Sequence, residues 1–200
     1  VQNASTVGLL DLKILQDKKE KSLSFFDDLK NRKFKLLYLL GSDNLEFQKN
    51  DEFIVYQGSH GDRGAEIADL ILPSATYTEQ NGLYENLEGR IQECKKASYP
   101  IGEALEDWKI FNQIIKKLGF KDYKVNFDEL RKEVLETAPN FSGINELPKK
   151  SVIKTNNIET SFFSEKIFVR ELDYYYTNSI SRSSKTMSEC RQIRQKIKKD

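Results

Sequence analysis

Residues 53–73 read FIVYQGSHGDRGAEIADLILP, which is two short apolar runs joined by a glycine-rich loop. The runs Phe53–Tyr56 and Leu70–Pro73 have the length of strands, and the proline ends the second one. An earlier run, Phe34–Leu40, has the same character and ends at the turn cluster Gly41–Asn44. Short runs that are continuously apolar, rather than alternating, are typical of a sheet covered on both faces. We therefore predict an α/β fold, a layered sheet with helices on both faces.

After this sheet the sequence predicts a hairpin and two helices. Asn81-Gly82 is flanked by β-forming residues and is a strong signal for a two-residue hairpin turn. From Asp107 onward apolar residues recur at helical spacing, and Gly119 stands where a helix-ending glycine is expected. Asn126 predicts the N-cap of a second helix, with an acidic residue three positions later. The inward positions of the two helices are predicted to be Trp108, Phe111, Ile114, Ile115, Leu118, Leu130, Val134 and Leu135.

The chain is predicted to have two parts. Residues 1–147 form the α/β domain, as part of a larger domain that is completed elsewhere. Residues 148–200 form an extended arm that ends in a helix over Ser188–Asp200, and the stretch from Pro139 to Pro148 is an irregular linker between the parts. The first 16 residues are apolar and small, so we expect them to be a contact surface.

The composition is that of a globular chain with a polar surface. Lys and Arg total 32 and Asp and Glu total 31, so the net charge of +1 gives no electrostatic basis for a nucleic-acid partner. No apolar run reaches the roughly 20 residues of a membrane-spanning helix, and we predict no transmembrane segment. The sequence begins with valine and Met187 is its only methionine, so we expect residue 1 to be a processing site, a split-gene junction or the start of one part of a longer chain.

The cysteine and histidine content argues against a metal centre within the chain. Cys94 and Cys190 are far apart in the sequence, and His60 is the only histidine. An iron–sulfur cluster needs about four thiolates, and a structural zinc ion needs four Cys or His ligands. We therefore predict no metal site and interpret both cysteines as reduced thiols, with a disulfide as the alternative.

The glycine-rich loop after the second strand is the most distinctive candidate site. Its spacing, G-x-x-G-x-x-G, matches neither the dinucleotide fingerprint nor the P-loop. Glycine also permits close backbone approach or positive φ without any ligand. We predict no cofactor in the chain, and the alternative interpretation is a nucleotide bound by Gly58, Ser59, Gly61 and Gly64.

The same loop holds the residue types of a catalytic triad. Ser59, His60 and Asp62 supply a hydroxyl, an imidazole and a carboxylate. Triad members normally come from separate segments, because neighbours in sequence rarely turn their side chains toward one point. We therefore predict no catalytic residue and expect Asp62 and Arg63 to pair or cap locally.

A group of carboxylates surrounds the Asn-Gly dipeptide. Glu79, Glu85 and Glu88 could act in acid–base chemistry or bind Mg²⁺. In a chain with 31 acidic residues a chance cluster is the better explanation. We expect Arg90 to be a structural ion-pair partner of Glu88 or a neighbour, and Trp108 to anchor a core.

Three motifs carry a family resemblance. The first holds YQGSHGDRGA and IADLILP from residue 56, and then E-x-x-G-x-x-x-N-x-E-G-R over residues 79–90; the others are EDWKI over 106–110 and YTNSISRSSKTM over 176–187. Together they closely resemble the C-terminal part of the large iron–sulfur subunit of respiratory complex I, in the molybdopterin-oxidoreductase superfamily. The motif positions, interpreted as structural, are Gln57, Gly58, His60, Gly61, Asp62, Gly64, Ala68, Asp69, Pro73, Glu79, Gly82, Asn86, Glu88, Gly89, Arg90, Asp107, Trp108, Ser181 and Arg182.

The resemblance implies a scaffold role in a multi-subunit enzyme. The cluster-binding cysteines of the family lie in N-terminal domains that this chain lacks, and the complex I branch binds no molybdenum cofactor. The chain would support NADH:ubiquinone oxidoreductase without a redox centre of its own, in a complex holding FMN and iron–sulfur clusters. Its partners would be other peripheral-arm subunits, including the N-terminal iron–sulfur part of the same subunit. Its location would be the matrix side of the mitochondrial inner membrane, or the cytoplasmic membrane face in a bacterium.

Two other functions remain open on the sequence. One is a fragment of a molybdopterin-dependent oxidoreductase whose glycine-rich loop holds a nucleotide cofactor, which molybdenum or a pterin in the purified complex would favour. The other is a free-standing nucleotide-binding module, which requires the isolated chain to be soluble and monomeric.

Overall fold

A computed structural model describes residues 6–14, 27–43, 48–121, 123–124, 126–147 and 173–197. The chain divides into two compact units, residues 1–148 and 149–200. In the first unit the elements are α1 (Thr6–Asp11), β1 (Leu36–Leu40), β2 (Phe53–Gly58), α2 (Arg63–Ile67), β3 (Leu70–Pro73), β4 (Gly82–Glu85), β5 (Ile91–Cys94), α3 (Asp107–Lys117), α4 (Phe127–Thr137) and a 3-10 helix (Pro139–Ser142). In the second they are α5 (Ser179–Ser183) and α6 (Lys185–Ile197).

The centre of the first unit is a parallel sheet in the order β1-β2-β3. Its register places Leu37 beside Ile54 and Tyr56 beside Ile71. All three strands coincide with apolar runs of the sequence, because parallel strands are covered on both faces. The predicted α/β fold is confirmed.

Helical segments pack against both faces of this sheet. On one face Leu29, from a helical turn over residues 27–30, packs into a buried cluster with side chains of β1 and β2. On the opposite face α3 lies over the sheet, with the ring of Phe111 stacked 5.6 Å from that of Tyr38. The remaining members of the first cluster are Leu37, Leu39, Ile54 and Tyr56, flanked by Phe34, Ala65, Ile67 and Ala68.

The hairpin β4–β5 turns at a different place from the predicted one. Gly82 opens β4, and the turn lies further along the chain, at Asn86–Arg90. The Asn86 side chain accepts hydrogen bonds from the backbone N–H groups of Glu88 and Arg90, and Gly89 takes φ of +79°. The prediction of a turn at Asn81-Gly82 is wrong, because the Asn86 side chain organises a longer turn that dipeptide counting does not detect.

The helix boundaries of α3 and α4 follow their capping residues. The N–H of Glu129 donates to Asn126 Oδ1 over 2.9 Å, as the predicted N-cap requires. Gly119 has φ of +80° and the N–H of Phe120 donates back to Ile115 O, which ends α3 as predicted. Leu118 is 67% exposed, so its predicted inward position is wrong; it follows the last turn that covers the sheet.

The stretch after α4 is more ordered than the predicted irregular linker. The 3-10 helix Pro139–Ser142 places Phe141 in a second buried cluster with Ile91 and Ala138. The linker prediction is therefore wrong over residues 139–142, since an aromatic side chain fixes the segment on the hairpin. Pro148 and the predicted arm up to residue 172 lie outside the described residues.

The second unit contains the predicted C-terminal helix, which begins earlier than expected, at Lys185. A capping box precedes it: Asn178 accepts from the N–H of Ser181, and the Ser181 hydroxyl accepts from the N–H of Asn178. Among the described residues, no helix combines the length and the apolar character needed to span a bilayer.

Candidate functional site at the carboxyl end of the sheet

The glycine-rich loop lies where parallel α/β sheets usually bind ligands. Gln57 and Gly58 end β2, and Arg63 begins α2, so the loop leaves the carboxyl end of the central strand. The loop therefore occupies the position in the fold where a binding site is expected.

The space that its glycines leave open is filled by a side chain of the protein itself. Tyr56 is 2% exposed, and its hydroxyl donates to the carbonyl oxygen of His60 over 2.7 Å. A Cβ atom added at Gly58 would lie 2.3 Å from Tyr56 Oη. A Cβ atom at Gly64 would lie 2.7 Å from Ser42 O and 2.9 Å from Tyr56 Cδ2. Gly58 and Gly64 thus allow the loop to wrap around Tyr56, and they form no open cradle.

A second set of polar side chains at the same end of the sheet forms hydrogen bonds among its own members. Gln57 is completely buried, and its amide Nε2 donates to Asp107 Oδ1 over 2.6 Å. Tyr38 Oη donates to Gln57 Oε1. Gln80 donates to Asp107 Oδ2 over 3.0 Å and accepts from the Asp107 N–H over 3.1 Å. We call Tyr38, Gln57, Gln80 and Asp107 the polar network.

The polar network joins β1, β2, the segment before β4 and the start of α3. Burial, together with the negative charge of Asp107, raises the pKa of Tyr38, so this hydroxyl remains a hydrogen-bond donor. Buried polar groups that are fully paired rigidify a core. The network therefore acts as a structural joint between separate segments.

Ser59 and His60, two of the three residue types of a catalytic triad, lie side by side on the loop. Ser59 Oγ lies 3.0 Å from His60 Nδ1, and Ser59 is exposed. Asp62 is the N-cap of the short helix α2, and Arg63 pairs with Glu66 at 3.5 Å. The backbone carbonyl of Asp62 accepts from the N–H groups of Ala65 and Glu66, and Arg63 pairs within its own helix.

The motif around β3 secures the start of β2. Asp69 Oδ2 accepts from the N–H of Ile54 over 2.8 Å, and its other oxygen pairs with Lys49. The Lys49 hydrogen bond, with the Ile54 N–H, holds the pKa of Asp69 below its ordinary value. Ala68 packs against the buried cluster and Pro73 ends β3.

The three carboxylates around Asn81-Gly82 have separate local roles. Glu79 Oε2 accepts from the N–H of Thr76 over 3.1 Å, and Glu88 lies exposed in the hairpin turn. Glu85 is buried near α1, and Arg90 Nε in the same turn is buried without a hydrogen bond. Within the described ranges, no group of three or more His, Cys, Asp or Glu side chains could hold a metal ion.

Glu85 is a buried acid whose interaction with Asp11 no pattern in the sequence indicated. Burial first, and then the charge and hydrogen bond of Asp11, raise its pKa to about 7. Asp11 also accepts from the side chain of Asn140. Glu85 thus lies where α1 meets the hairpin, and burial and the nearby carboxyl of Asp11 disfavour its ionised form.

The stability of the chain is therefore expected to depend on pH through Glu85. The unfolded chain releases this proton near the ordinary value of 4.5, whereas the folded chain keeps it to about pH 7. The folded state binds more protons in that window, so the free energy of unfolding falls as the pH rises through it. Urea unfolding at several pH values measures the decline. Glu85→Gln is expected to remove most of it, and Glu88→Gln, on the exposed turn, to keep it; an unchanged decline in Glu85→Gln would contradict this role.

Glu106 is a further buried acid, at the start of the EDWKI motif. Burial alone would raise its pKa, but hydrogen bonds from Trp108 Nε1 and Lys109 and the charge of Lys96 hold the pKa below its ordinary value. The Trp108 ring lies 6.2 Å from that of Phe127. These contacts fix the start of α3. Trp108 is half-buried and belongs to neither buried cluster, so its role as a core anchor stays a prediction.

In the second unit, Ser181 and Arg182 serve the fold of α5 and α6. Ser181 belongs to the capping box, and Arg182 Nη1 donates to Tyr176 O over 3.5 Å. Arg191 of α6 lies over the Tyr176 ring at 4.5 Å and pairs with Asp173. The Arg191 hydrogen bond holds the pKa of Asp173 below its ordinary value. Cys94, in the first unit, and Cys190 in α6 are both free thiols.

Comparison with known proteins agrees with this architecture. Residues 1–117 match the family model described as "Molybdopterin oxidoreductase". The match covers more than half of the chain, and the chain belongs to the molybdopterin oxidoreductase family.

More particular similarities extend over the whole chain. Residues 137–190 match the model for the C-terminal region of the G subunit of NADH-ubiquinone oxidoreductase. The chain is 38% identical over 196 residues to the "NADH-ubiquinone oxidoreductase 75 kDa subunit" of Reclinomonas americana, covering 96% of this chain and 28% of that protein. It is 38% identical to the G subunit of NADH-quinone oxidoreductase from Rickettsia bellii, covering 98% of this chain and 27% of that protein. A mitochondrial 78 kDa subunit of NADH-ubiquinone oxidoreductase from Neurospora crassa is 38% identical over 175 residues, which are 82% of this chain and 23% of that protein.

These comparisons confirm the resemblance found in the motifs. The chain spans little more than a quarter of the length of the first two relatives.

The family name implies a molybdopterin cofactor, which the residues at the sheet end do not fit. Tyr56 occupies the space over Gly58 and Gly64, and the side-chain amide of Gln57 already donates to Asp107 in the polar network. No step of a reaction is therefore assigned to such a cofactor in this chain.

Proposed function

We propose that this chain is the C-terminal scaffold portion of the large iron–sulfur subunit of a proton-translocating NADH:ubiquinone oxidoreductase. Similarity to the relatives from Reclinomonas americana and Rickettsia bellii over 96% and 98% of the chain carries the proposal. The filled loop supports it, because a redox enzyme of this family would need an open cofactor site there. The chain contributes rigidity and surface to the assembly and carries no electron or hydride.

In this proposal the α/β unit is part of a larger domain completed by the remainder of the large iron–sulfur subunit, and the other partners are peripheral-arm subunits. The whole assembly holds FMN and iron–sulfur clusters, bound by residues outside this chain. It lies on the matrix side of the mitochondrial inner membrane or, in a bacterium, on the cytoplasmic face of the membrane. The motif residues from Gln57 to Arg90, with Asp107 and Trp108, act as structural joints in it.

The alternative function, a nucleotide-binding fragment of a molybdopterin enzyme, is not favoured. It requires Gly58, Ser59, Gly61 and Gly64 to approach a phosphate group. The Tyr56 ring fills the inner side of this loop between two of those glycines. A free-standing nucleotide-binding module meets the same obstacle.

Native electrophoresis of solubilised membranes, with this chain detected by mass spectrometry, tests the proposed function. We expect the chain to co-migrate with an NADH-oxidising band much larger than the chain's own 23.2 kDa. Migration as a small species without an NADH-oxidising partner would contradict the proposal. An antibody against a membrane protein of another respiratory complex provides the control for incomplete solubilisation.

A further inference from the structure

One face of the parallel sheet is only partly covered. Helix α3 packs on this face through the ring of Phe111 on Tyr38 and through Asp107, which accepts from Gln57. At the amino half of the same face, Leu36 is 57% exposed, Phe53 48% and Leu70 45%. Leu36 of β1 pairs with Phe53 of β2, and Leu70 of β3 pairs with Val55 of β2. Phe53 and Val55 are two residues apart on one strand and share a face, so Leu36, Phe53 and Leu70 lie on the same face of the sheet.

The outer edge of β1 adjoins this exposed strip. The N–H of Phe53 donates to Lys35 O over 2.9 Å, and the N–H of Gly41 donates to Gln57 O over 2.8 Å. The backbone groups of the odd-numbered positions of β1 therefore face β2, and those of Leu36, Tyr38 and Leu40 point to the outer edge. Among the described residues, no strand pairs with that edge.

The opposite edge of the sheet differs. Directly after β3, Ser74 forms a parallel bridge with Leu105, and the N–H of Leu105 donates to Pro73 O over 3.2 Å. The polypeptide thus covers the carboxyl end of that edge itself. The β1 edge is the one that offers a run of outward backbone groups among leucine side chains.

We propose that the β1 edge and the strip Leu36, Phe53 and Leu70 form a docking surface for a parallel β-strand and its following helix, contributed by the remainder of the large iron–sulfur subunit. This inference rests on the proposed function and specifies how the chain joins its assembly. Parallel sheets are stable when both faces and edges are covered, and an open apolar edge is a template for strand pairing.

The nature of the occupant follows from the surface and from the relatives. The residues of β1 whose backbone groups point outward are Leu36, Tyr38 and Leu40. Their side chains carry no charge, so a partner strand with apolar side chains fits this edge better than a charged one. This sequence corresponds to only 28% and 27% of the two relatives that match nearly all of it. The remainder of such a chain is long enough to supply the strand and helix. A parallel strand fits because all three strands present are parallel to one another.

Photocrosslinking in the intact assembly tests the docking surface. The leucine at position 40 is replaced by a photoreactive diazirine analogue, and the NADH-oxidising band is illuminated, digested and analysed by mass spectrometry. We expect crosslinks from position 40 to an apolar peptide of the remainder of the large iron–sulfur subunit. The same analogue at Leu118, an exposed leucine beyond the end of α3, is expected not to reach that peptide.

A pair of variants tests the backbone pairing. Leu40→Pro removes an outward N–H and leaves the bonds between β1 and β2 intact, whereas Leu40→Ala shortens the side chain and keeps the N–H. We expect Leu40→Pro to lose co-migration with the NADH-oxidising band and Leu40→Ala to retain it. Comparable soluble yield and circular dichroism of the two variants show that the loss is not general misfolding.

The outcomes separate the docking surface from the proposed function. Crosslinks from position 40 to a second copy, to another subunit, to this chain's own residues or to nothing, within a band that oxidises NADH, overturn the docking surface alone. Co-migration of Leu40→Pro at the level of Leu40→Ala does the same. Failure of the unaltered chain to enter any NADH-oxidising band overturns the proposed function as well.

Discussion

Replacing Tyr56 by alanine is expected to lower the free energy of unfolding by about 4 kcal/mol, which is typical for the deletion of a buried aromatic side chain. The ring is 2% exposed and fills the space over Gly58 and Gly64, so its removal leaves a cavity between β2 and α2. Close packing of neighbouring backbone limits how far the loop can collapse into it. Denaturant unfolding of the 200-residue chain measures the loss.

Tyr56→Phe is the matched control for this prediction. It keeps the ring and removes only the hydroxyl that donates to His60 O, so its expected cost is about 1 kcal/mol. Equal losses in the two variants would mean that the hydrogen bond, and not the ring, holds the loop. A loss below about 1 kcal/mol in Tyr56→Ala would mean that the ring does not fill the loop, which would then have room for a ligand.

Replacing Asp107 by alanine is the second large change, with an expected loss of about 4 kcal/mol. The substitution removes the acceptor of two charge-assisted hydrogen bonds, from Gln57 at 2.6 Å and from Gln80 at 3.0 Å. Gln57 is completely buried, and its amide is left without that partner. Unsatisfied buried donors are costly because water cannot replace the lost acceptor.

Asp128→Ala is the matched control for Asp107→Ala. Both residues lie in the first turn of an eleven-residue helix, α3 or α4, but Asp128 takes no part in the polar network. Its expected cost is that of a surface charge near a helix N-terminus, about 0.5 kcal/mol. If the two variants lost the same stability, the effect of Asp107 would come from the helix dipole, and the polar network would have no special role.

The strands and helix ends were predictable because local chemistry determines them. The runs that became β1, β2 and β3 are apolar at nearly every position, which a sheet covered on both faces requires. Asn126 and Gly119 set the helix ends through their own side chain or backbone, and both did so as predicted. The Asn81-Gly82 prediction failed because Asn86 and Gly89 provide a competing turn a few residues later.

The candidate site was predictable only in position. The loop after β2 was singled out by its glycines, but its occupant is an aromatic residue two positions before Gly58. Residues two apart on a strand share a face, so this spacing was a usable signal that the glycine makes room for the tyrosine. The contacts of Gln57 with Asp107 and of Glu85 with Asp11 join residues far apart in the sequence, and no local pattern reports such pairs.

In the proposed function, this chain serves NADH:ubiquinone oxidoreductase as a scaffold without a cofactor of its own. The decisive measurement is the content of molybdenum, pterin, iron and flavin in the purified NADH-oxidising assembly that contains the chain. We predict iron and flavin in defined ratio to the chain and no molybdenum or pterin above background. One molybdenum or one pterin for each copy of the chain would overturn the scaffold role and make the glycine-rich loop a candidate cofactor site.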